Sequence, residues 1–205
     1  LRLLYAVTVL MVAVVMVEVY PAQDNLMLWA TVVWWIGISI RLLYYTPRPM
    51  QRPSVTKLLL GIVLVPVAVL AMYQLHANAS PLWLMYGLAL VWVADIGAYF
   101  AGRRFGRHKL APKLSPGKTR EGLYGALLAT SLYSVAAGIG FDLAPRALLL
   151  LLALSLLMTL VSVAGDLYES VLKRELGVKD SGRLLPGHGG ILDRIDSVLA
   201  AMPVF

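Results

Sequence analysis

Apolar residues fall along this chain in blocks of roughly 17 to 25, the length that carries an α-helix across the hydrocarbon of a bilayer. The blocks run approximately from Leu3 to Tyr20, Leu26 to Tyr45, Lys57 to Leu75, Pro81 to Phe100, Gly122 to Gly140 and Pro145 to Val163, with another beginning near Ser197. These long runs do not alternate apolar with polar positions, so a transmembrane β-barrel is excluded. The pattern predicts an all-α fold, a polytopic membrane helical bundle of about six spans plus the start of a seventh. Residues 1–91 are expected to form N-terminal transmembrane helices, and residues 92–205 a catalytic transmembrane region with its polar loops. No internal repeat or low-complexity tract is present.

The polar links between blocks differ in charge, in alternation. Pro21 to Asn25, His76 to Ser80 and Phe141 to Ala144 carry Asp24 and Asp142 and no Lys or Arg. The other links hold Arg41, Arg48, Arg52 and Lys57, then Arg103, Arg104, Arg107, Lys109, Lys113, Lys118 and Arg120, then the segment that opens at Gly165. Because basic residues stay on the cytoplasmic side, these three links and Arg2 are placed in the cytoplasm, and of 18 cations only Arg146 lies outside. The expected location is the cell inner membrane, multi-pass, with the active site at the cytoplasmic interface.

Composition agrees with that reading. The chain is 60% hydrophobic and 14% charged with a mean hydropathy of +0.77, too apolar for a soluble domain. Its net charge of +7 is accounted for by cytoplasmic loops beside anionic headgroups, which points to membrane lipid and not to nucleic acid as a partner. The absence of Cys removes disulfides and thiolate metal sites. Leu1 is not an initiator Met and Phe205 ends within an apolar stretch, so a longer protein is expected at both ends.

From Gly165 to Ser197 the apolar pattern breaks, giving six carboxylates, five cations, one His and a glycine-dense turn, Pro186-Gly187-His188-Gly189-Gly190. Carboxylate oxygens suit a hard divalent cation, while Lys, Arg and glycine-rich amides suit phosphate. If the sixth span continues as helix, Asp166, Glu169, Ser170 and Lys173 share one face at i, i+3, i+4 and i+7. Asp193 and Asp196 repeat the three-residue spacing at the start of the last helix. Either acidic pair alone also fits a solvated helix end; two pairs flanking a glycine loop at a membrane edge favour a site. His188 is placed to contact phosphate or to organise its loop. In the middle link, Ser115-Pro116-Gly117-Lys118-Thr119-Arg120-Glu121-Gly122 also leads into a helix start, where amides and Lys118 can hold an anion. Asp95, an acid inside the fourth span, is a functional candidate, with a structural pairing to Arg103 or Lys118 as the alternative.

The segment Ser170-x-Leu172-Lys173-Arg174-x4-Lys179-Asp180-x-Gly182-x2-Leu185-Pro186-x-His188-Gly189-Gly190-Ile191-x-Asp193-Arg194-Ile195-Asp196 closely resembles the signature of the phosphatidate cytidylyltransferase family, the CDP-diacylglycerol synthases. The resemblance extends to Asp95-x2-Ala98-Tyr99-x2-Gly102-x2-Phe105-Gly106, to Ser115-Pro116-x-Lys118-Thr119-x-Glu121-Gly122 and to Gly165-Asp166-Leu167-x-Glu169-Ser170, covering about Trp92 to Phe205. Arg120 departs from it, since the family usually has Trp there. The resemblance implies Mg²⁺-dependent transfer of a cytidylyl group from CTP to phosphatidate, giving CDP-diacylglycerol and pyrophosphate. Asp166 and Asp193, with Asp196 as a third, are then metal ligands, for one ion or two. Lys173, Arg174, Lys179 and Arg194 are candidates for the triphosphate, and Ser115, Lys118 and Thr119 for the lipid phosphate or the nucleotide. Asp180, His188, Gly189 and Gly190 from the signature, with Ser170 and Asp95, complete the candidate site. A homodimer is compatible with this reading. A membrane phosphotransferase acting on a polyprenol or other lipid shares the metal and phosphate logic and stays open; an anion transporter fits less well, because the spans hold little beyond Asp95 and Glu18.

Overall fold

The structure is a computed structural model that describes residues 2–19, 26–42, 44–46, 54–182 and 190–205. Its elements in order are α1 (Arg2–Val19), α2 (Leu26–Leu42), α3 (Val55–Gln74), α4 (Pro81–Phe105), β1 (Lys109–Ala111), β2 (Ser115–Thr119), α5 (Arg120–Gly140), α6 (Pro145–Glu175) and α7 (Leu192–Ala201). A π-helical turn, Leu75–Ala79, closes α3, and a 3₁₀ turn, Met202–Val204, follows α7. The architecture is the expected all-α membrane bundle. Among the described residues, four helices are long and apolar enough to cross a bilayer: Val55–Ala79, Pro81–Phe105, Arg120–Gly140 and Pro145–Glu175. The first two expected spans are helical too, but their described lengths are 18 and 17 residues.

Helix ends follow local chemistry. Pro81 and Pro145 sit at the starts of α4 and α6, where a missing N–H costs nothing. Thr119 begins α5, its Oγ1 accepting the Gly122 N–H at 3.1 Å. Beyond the end of α6, Gly177 takes a φ of +68°, the left-handed turn that ends helices and suits a residue without Cβ.

The middle link, read from the sequence as a basic segment leading into a helix start, contains a short antiparallel hairpin in which Lys109 pairs with Thr119 and Ala111 with Ser115. Glu121, one residue into α5, accepts the backbone N–H groups of Arg107 and His108 and meets His108 Nδ1 at 2.6 Å. This ties the hairpin to its helix. Arg120 opens α5 as an exposed residue whose N–H donates to His108 O at 2.9 Å.

Within the bundle, polar residues form a stripe along one face of α6. Ser155, Thr159, Ser162, Asp166, Ser170 and Lys173 recur every three or four residues, so they lie on the same side of the helix. In its membrane half Ser155 and Thr159 pair across helices, while Ser162 donates to the Thr159 carbonyl of its own helix at 2.9 Å. Tyr86 of α4 donates to Ser134 Oγ of α5 at 2.8 Å and lies 2.7 Å from Ser155 Oγ, while Thr159 donates to Thr130 Oγ1 at 3.0 Å. Such hydroxyl contacts are worth only about 0.6 kcal/mol each on average, but they fix the rotation of α6 against α4 and α5.

Close packing of small residues brings α4 and α5 together. A Cβ on Gly97 would stand 2.7 Å from both Ala129 Cβ and the Gly125 carbonyl oxygen, and one on Gly125 would overlap Ala101. With lipid as solvent, helices associate chiefly through such van der Waals fit. Gly125→Val should therefore lower stability by about 1–3 kcal/mol, the usual cost of overpacking. Thermal unfolding in detergent tests this, and an unchanged midpoint would refute the close approach.

Candidate functional site

The sixth helix does continue past the membrane run: α6 is a single helix of 31 residues, so Asp166, Glu169, Ser170 and Lys173 leave the bundle on one face. Gly165 sets the distance to α7. A Cβ there would lie 2.5 Å from Ala200 Cβ and 2.9 Å from the Asp196 carbonyl oxygen, so only glycine lets α7 pack at this depth. The result is a cluster in which carboxylate oxygens of Asp166, Glu169 and Asp196 all lie within 4.8 Å of one another.

Lysines converge on this cluster from two elements. Lys118, near the end of β2, places Nζ 2.5 Å from Asp166 Oδ2, and Lys173 contacts Glu169 Oε2 and, at 2.8 Å, Asp193 Oδ1. Arg174 braces the hairpin by donating from Nε to the Leu114 carbonyl at 3.3 Å. Between α4, the hairpin and α5 opens a cavity of about 470 Å³ lined by Asp95, Arg103, Lys118, Thr119 and Asp166. A smaller apolar cavity of about 110 Å³ lies beyond Glu169 and Asp196, walled by Trp35, Leu64 and Leu199.

Asp193 sits beside the cluster with a different set of partners. Its Oδ2 accepts the Ser181 N–H at 2.9 Å, the Ser181 hydroxyl at 2.8 Å and the Gly190 N–H at 2.7 Å. Burial raises its pKa, but the Lys173 ammonium and these two amides outweigh it and hold the carboxyl well below the usual range. Asp196 is the reverse case, pushed up to about 6 by burial and then by the charge of Asp166. One carboxylate joins Ser181 to Gly190, while the other stands among like charges.

The other residues selected from sequence fall in three groups. Asp95, Lys118 and Thr119 line the polar cavity, and Ser170 is buried on α6 one residue past Glu169. Ser115 opens β2, and Gly190 is buried against Ser181. Lys179, Asp180 and Arg194 are exposed on the segments that flank the turn. His188 and Gly189 lie outside the described residues. Glu169 was the ligand candidate missed as such; its three-residue spacing from Asp166 was the available signal.

The donor set suits a hard divalent cation. Three carboxylates offer oxygen ligands only, and Glu169 Oε1 is buried with no hydrogen-bond partner among the described residues, an oxygen poised to accept a ligand. Like charges this close are costly without one.

Together, the spans and the carboxylate and lysine cluster at their ends define a polytopic membrane protein suited to phosphate chemistry. The whole chain, residues 1–205, matches the cytidylyltransferase family, and the chain belongs to it. It is 44% identical over 213 residues to a phosphatidate cytidylyltransferase of Pseudomonas aeruginosa, covering all of this chain and 76% of that protein. A phosphatidate cytidylyltransferase of Haemophilus influenzae is 41% identical over 202 residues, 92% of this chain and 69% of the relative. One of Staphylococcus saprophyticus is 39% identical over 172 residues, 82% of this chain and 65% of the relative.

If Glu169 is a ligand, Glu169→Gln should weaken Mn²⁺ binding by more than the ~10-fold typical of losing an outer-shell partner. Electron paramagnetic resonance titration of the detergent-solubilised protein reads this directly. Parental affinity in the variant would remove Glu169 from the ligand set.

Proposed function

We propose that this chain transfers a cytidylyl group from CTP to phosphatidate, forming CDP-diacylglycerol and releasing pyrophosphate, at the cytoplasmic face of the cell inner membrane. The observation that carries this reading is the joining of Asp166, Glu169 and Asp196 with Lys118 and Lys173 where the apolar helices end, in a chain similar along its whole length to phosphatidate cytidylyltransferases. The cytoplasmic placement is supported by the positive-inside distribution of the cations.

Asp166, Glu169 and Asp196 are the residues that would hold Mg²⁺, with Asp193 one lysine ammonium away as a further candidate. When bound, the ion neutralises and polarises phosphate oxygens as a Lewis acid. The protein's own groups do the rest. Both reactants are anionic, so their approach needs positive charge in place beforehand. Lys118 and Lys173 supply it, each held on a carboxylate from which it can pass to a phosphate oxygen. Arg174, Lys179 and Arg194 flank the same edge and suit the triphosphate and the leaving pyrophosphate. The polar cavity lined by Asp95, Arg103, Lys118 and Thr119 suits a phosphate-bearing reactant.

In the reaction a phosphatidate oxygen forms a bond to the α-phosphorus of CTP while the bond to pyrophosphate breaks in line. No strong base is required, because a phosphate monoester with a second pKa of about 6 is already largely deprotonated. Asp193 contributes by joining Ser181 to Gly190, which holds these two residues beside Lys173.

In mixed micelles with labelled CTP, phosphatidate and Mg²⁺, the full-length enzyme should form a lipid-soluble CDP product only when all three are present. Activity with a polyprenol and ATP, and none with CTP and phosphatidate, would overturn the assignment. Asp166→Asn should lower turnover by about 100-fold or more while the protein still inserts, since the shape is kept and a charge beside the phosphates is lost. Turnover at the parental rate would take Asp166 out of the site.

A further inference from the structure

On α6, the face opposite the carboxylates carries a second polar arrangement. Each residue advances a helix by about 100°, so Tyr168, Val171 and Glu175 point away from Asp166, Glu169 and Lys173 by roughly half a turn. Glu175 is only 3% exposed and accepts hydrogen bonds from the Tyr45 hydroxyl and the Lys57 ammonium, one from the chain after α2 and one from the first turns of α3. Above this pair a cavity of about 300 Å³ opens between α2, α3 and α6. Arg41, Lys57, Ser54 and Thr56 line it at the level where the helices end, and Trp34 and Ile38 line it toward the membrane interior.

Its charge is unbalanced. Among the described residues, Arg41 and Lys57 line the cavity and the Glu175 carboxylate pairs with Lys57 beside it, an excess of one positive charge. Arg41 is exposed, with its guanidinium 6.0 Å from the centre of the Tyr45 ring. A guanidinium held on an aromatic face, with Ser and Thr hydroxyls nearby and an apolar wall below, is complementary to a phosphate carried on acyl chains. Basic pockets between helices at the cytoplasmic edge are suited to anionic headgroups.

We propose that this cavity holds the phosphate of an anionic phosphodiester lipid from the surrounding bilayer, as a site separate from the carboxylate cluster. None of Asp166, Glu169 and Asp196 lines this cavity, which shares Lys57, Leu60 and Tyr168 with the smaller cavity that reaches Glu169 and Asp196, so a lipid seated here is held beside the cluster and not in it. Its chains run down past Trp34 and Ile38 into the hydrocarbon, and its headgroup fastens the ends of α2 and α3 to α6.

Native mass spectrometry of the delipidated protein, titrated with phosphatidylglycerol, phosphatidylcholine or phosphatidate, tests this without reference to activity. Phosphatidylglycerol should be retained in preference to phosphatidylcholine, and Arg41→Gln should reduce its retention about fivefold, the effect of one cation near a membrane surface. Arg104→Gln, a cation on another part of the molecule, should leave retention unchanged. Ser54→Trp supplies a second variant, because Ser54 makes no side-chain cap bond and a bulky ring there obstructs the cavity without altering charge. Equal retention of phosphatidylglycerol and phosphatidylcholine, or parental retention in both Arg41→Gln and Ser54→Trp, would overturn the proposal. So would retention of phosphatidate but not phosphatidylglycerol, which would assign the cavity to a phosphate monoester.

Discussion

Repulsion among three carboxylates is the constraint that the rest of the molecule answers. With oxygens of Asp166, Glu169 and Asp196 within 4.8 Å of one another, each charged pair costs about 3 kcal/mol at an effective dielectric of about 20. Left alone, such a cluster would drive α6 and α7 apart. Two features oppose that. Gly165 allows the helices to pack backbone to side chain, and Lys118 and Lys173 bring positive charge from separate elements. The hairpin therefore acts as part of the electrostatic balance, since it is what delivers Lys118 to Asp166.

This arrangement also accounts for the polar stripe on α6. A helix that must aim carboxylates at a fixed point cannot be free to roll in the bilayer, and lipid-facing leucines give little resistance to rolling. Hydroxyl contacts from Ser155 and Thr159 to Tyr86 and Thr130 supply the resistance in the membrane half. Small residues at the α4–α5 seam then make the platform against which α6 is held.

Much of this was legible in the sequence, for identifiable reasons. Hydropathy located the six apolar helices α1 to α6 because burial in lipid demands long apolar runs, and the three- and four-residue spacing of Asp166, Glu169, Ser170 and Lys173 placed one face correctly once α6 proved continuous. The hairpin was not legible: residues 109–119 contain two prolines and lack strand alternation, and what braces them is tertiary, Arg174 at the Leu114 carbonyl and Glu121 at the Arg107 and His108 amides just before them. The different surroundings of Asp193 and Glu169 were equally hidden. Both are acids three residues from another acid, and what separates them is tertiary: Ser181 and Gly190 surround one with donors, while burial leaves an oxygen of the other without a partner.

The seven residue steps from Thr159 to Asp166 work as a ruler. They join the part of α6 pinned by hydroxyl contacts to the part that presents the acids, in about two helical turns. Inserting or deleting a single residue between them would rotate the acids by about 100° from their lysines while leaving every span apolar and of acceptable length. Such a change is invisible to hydropathy and to membrane insertion. The interior of α6 is therefore the one stretch of the helix whose residue count the site depends on, whatever its hydropathy.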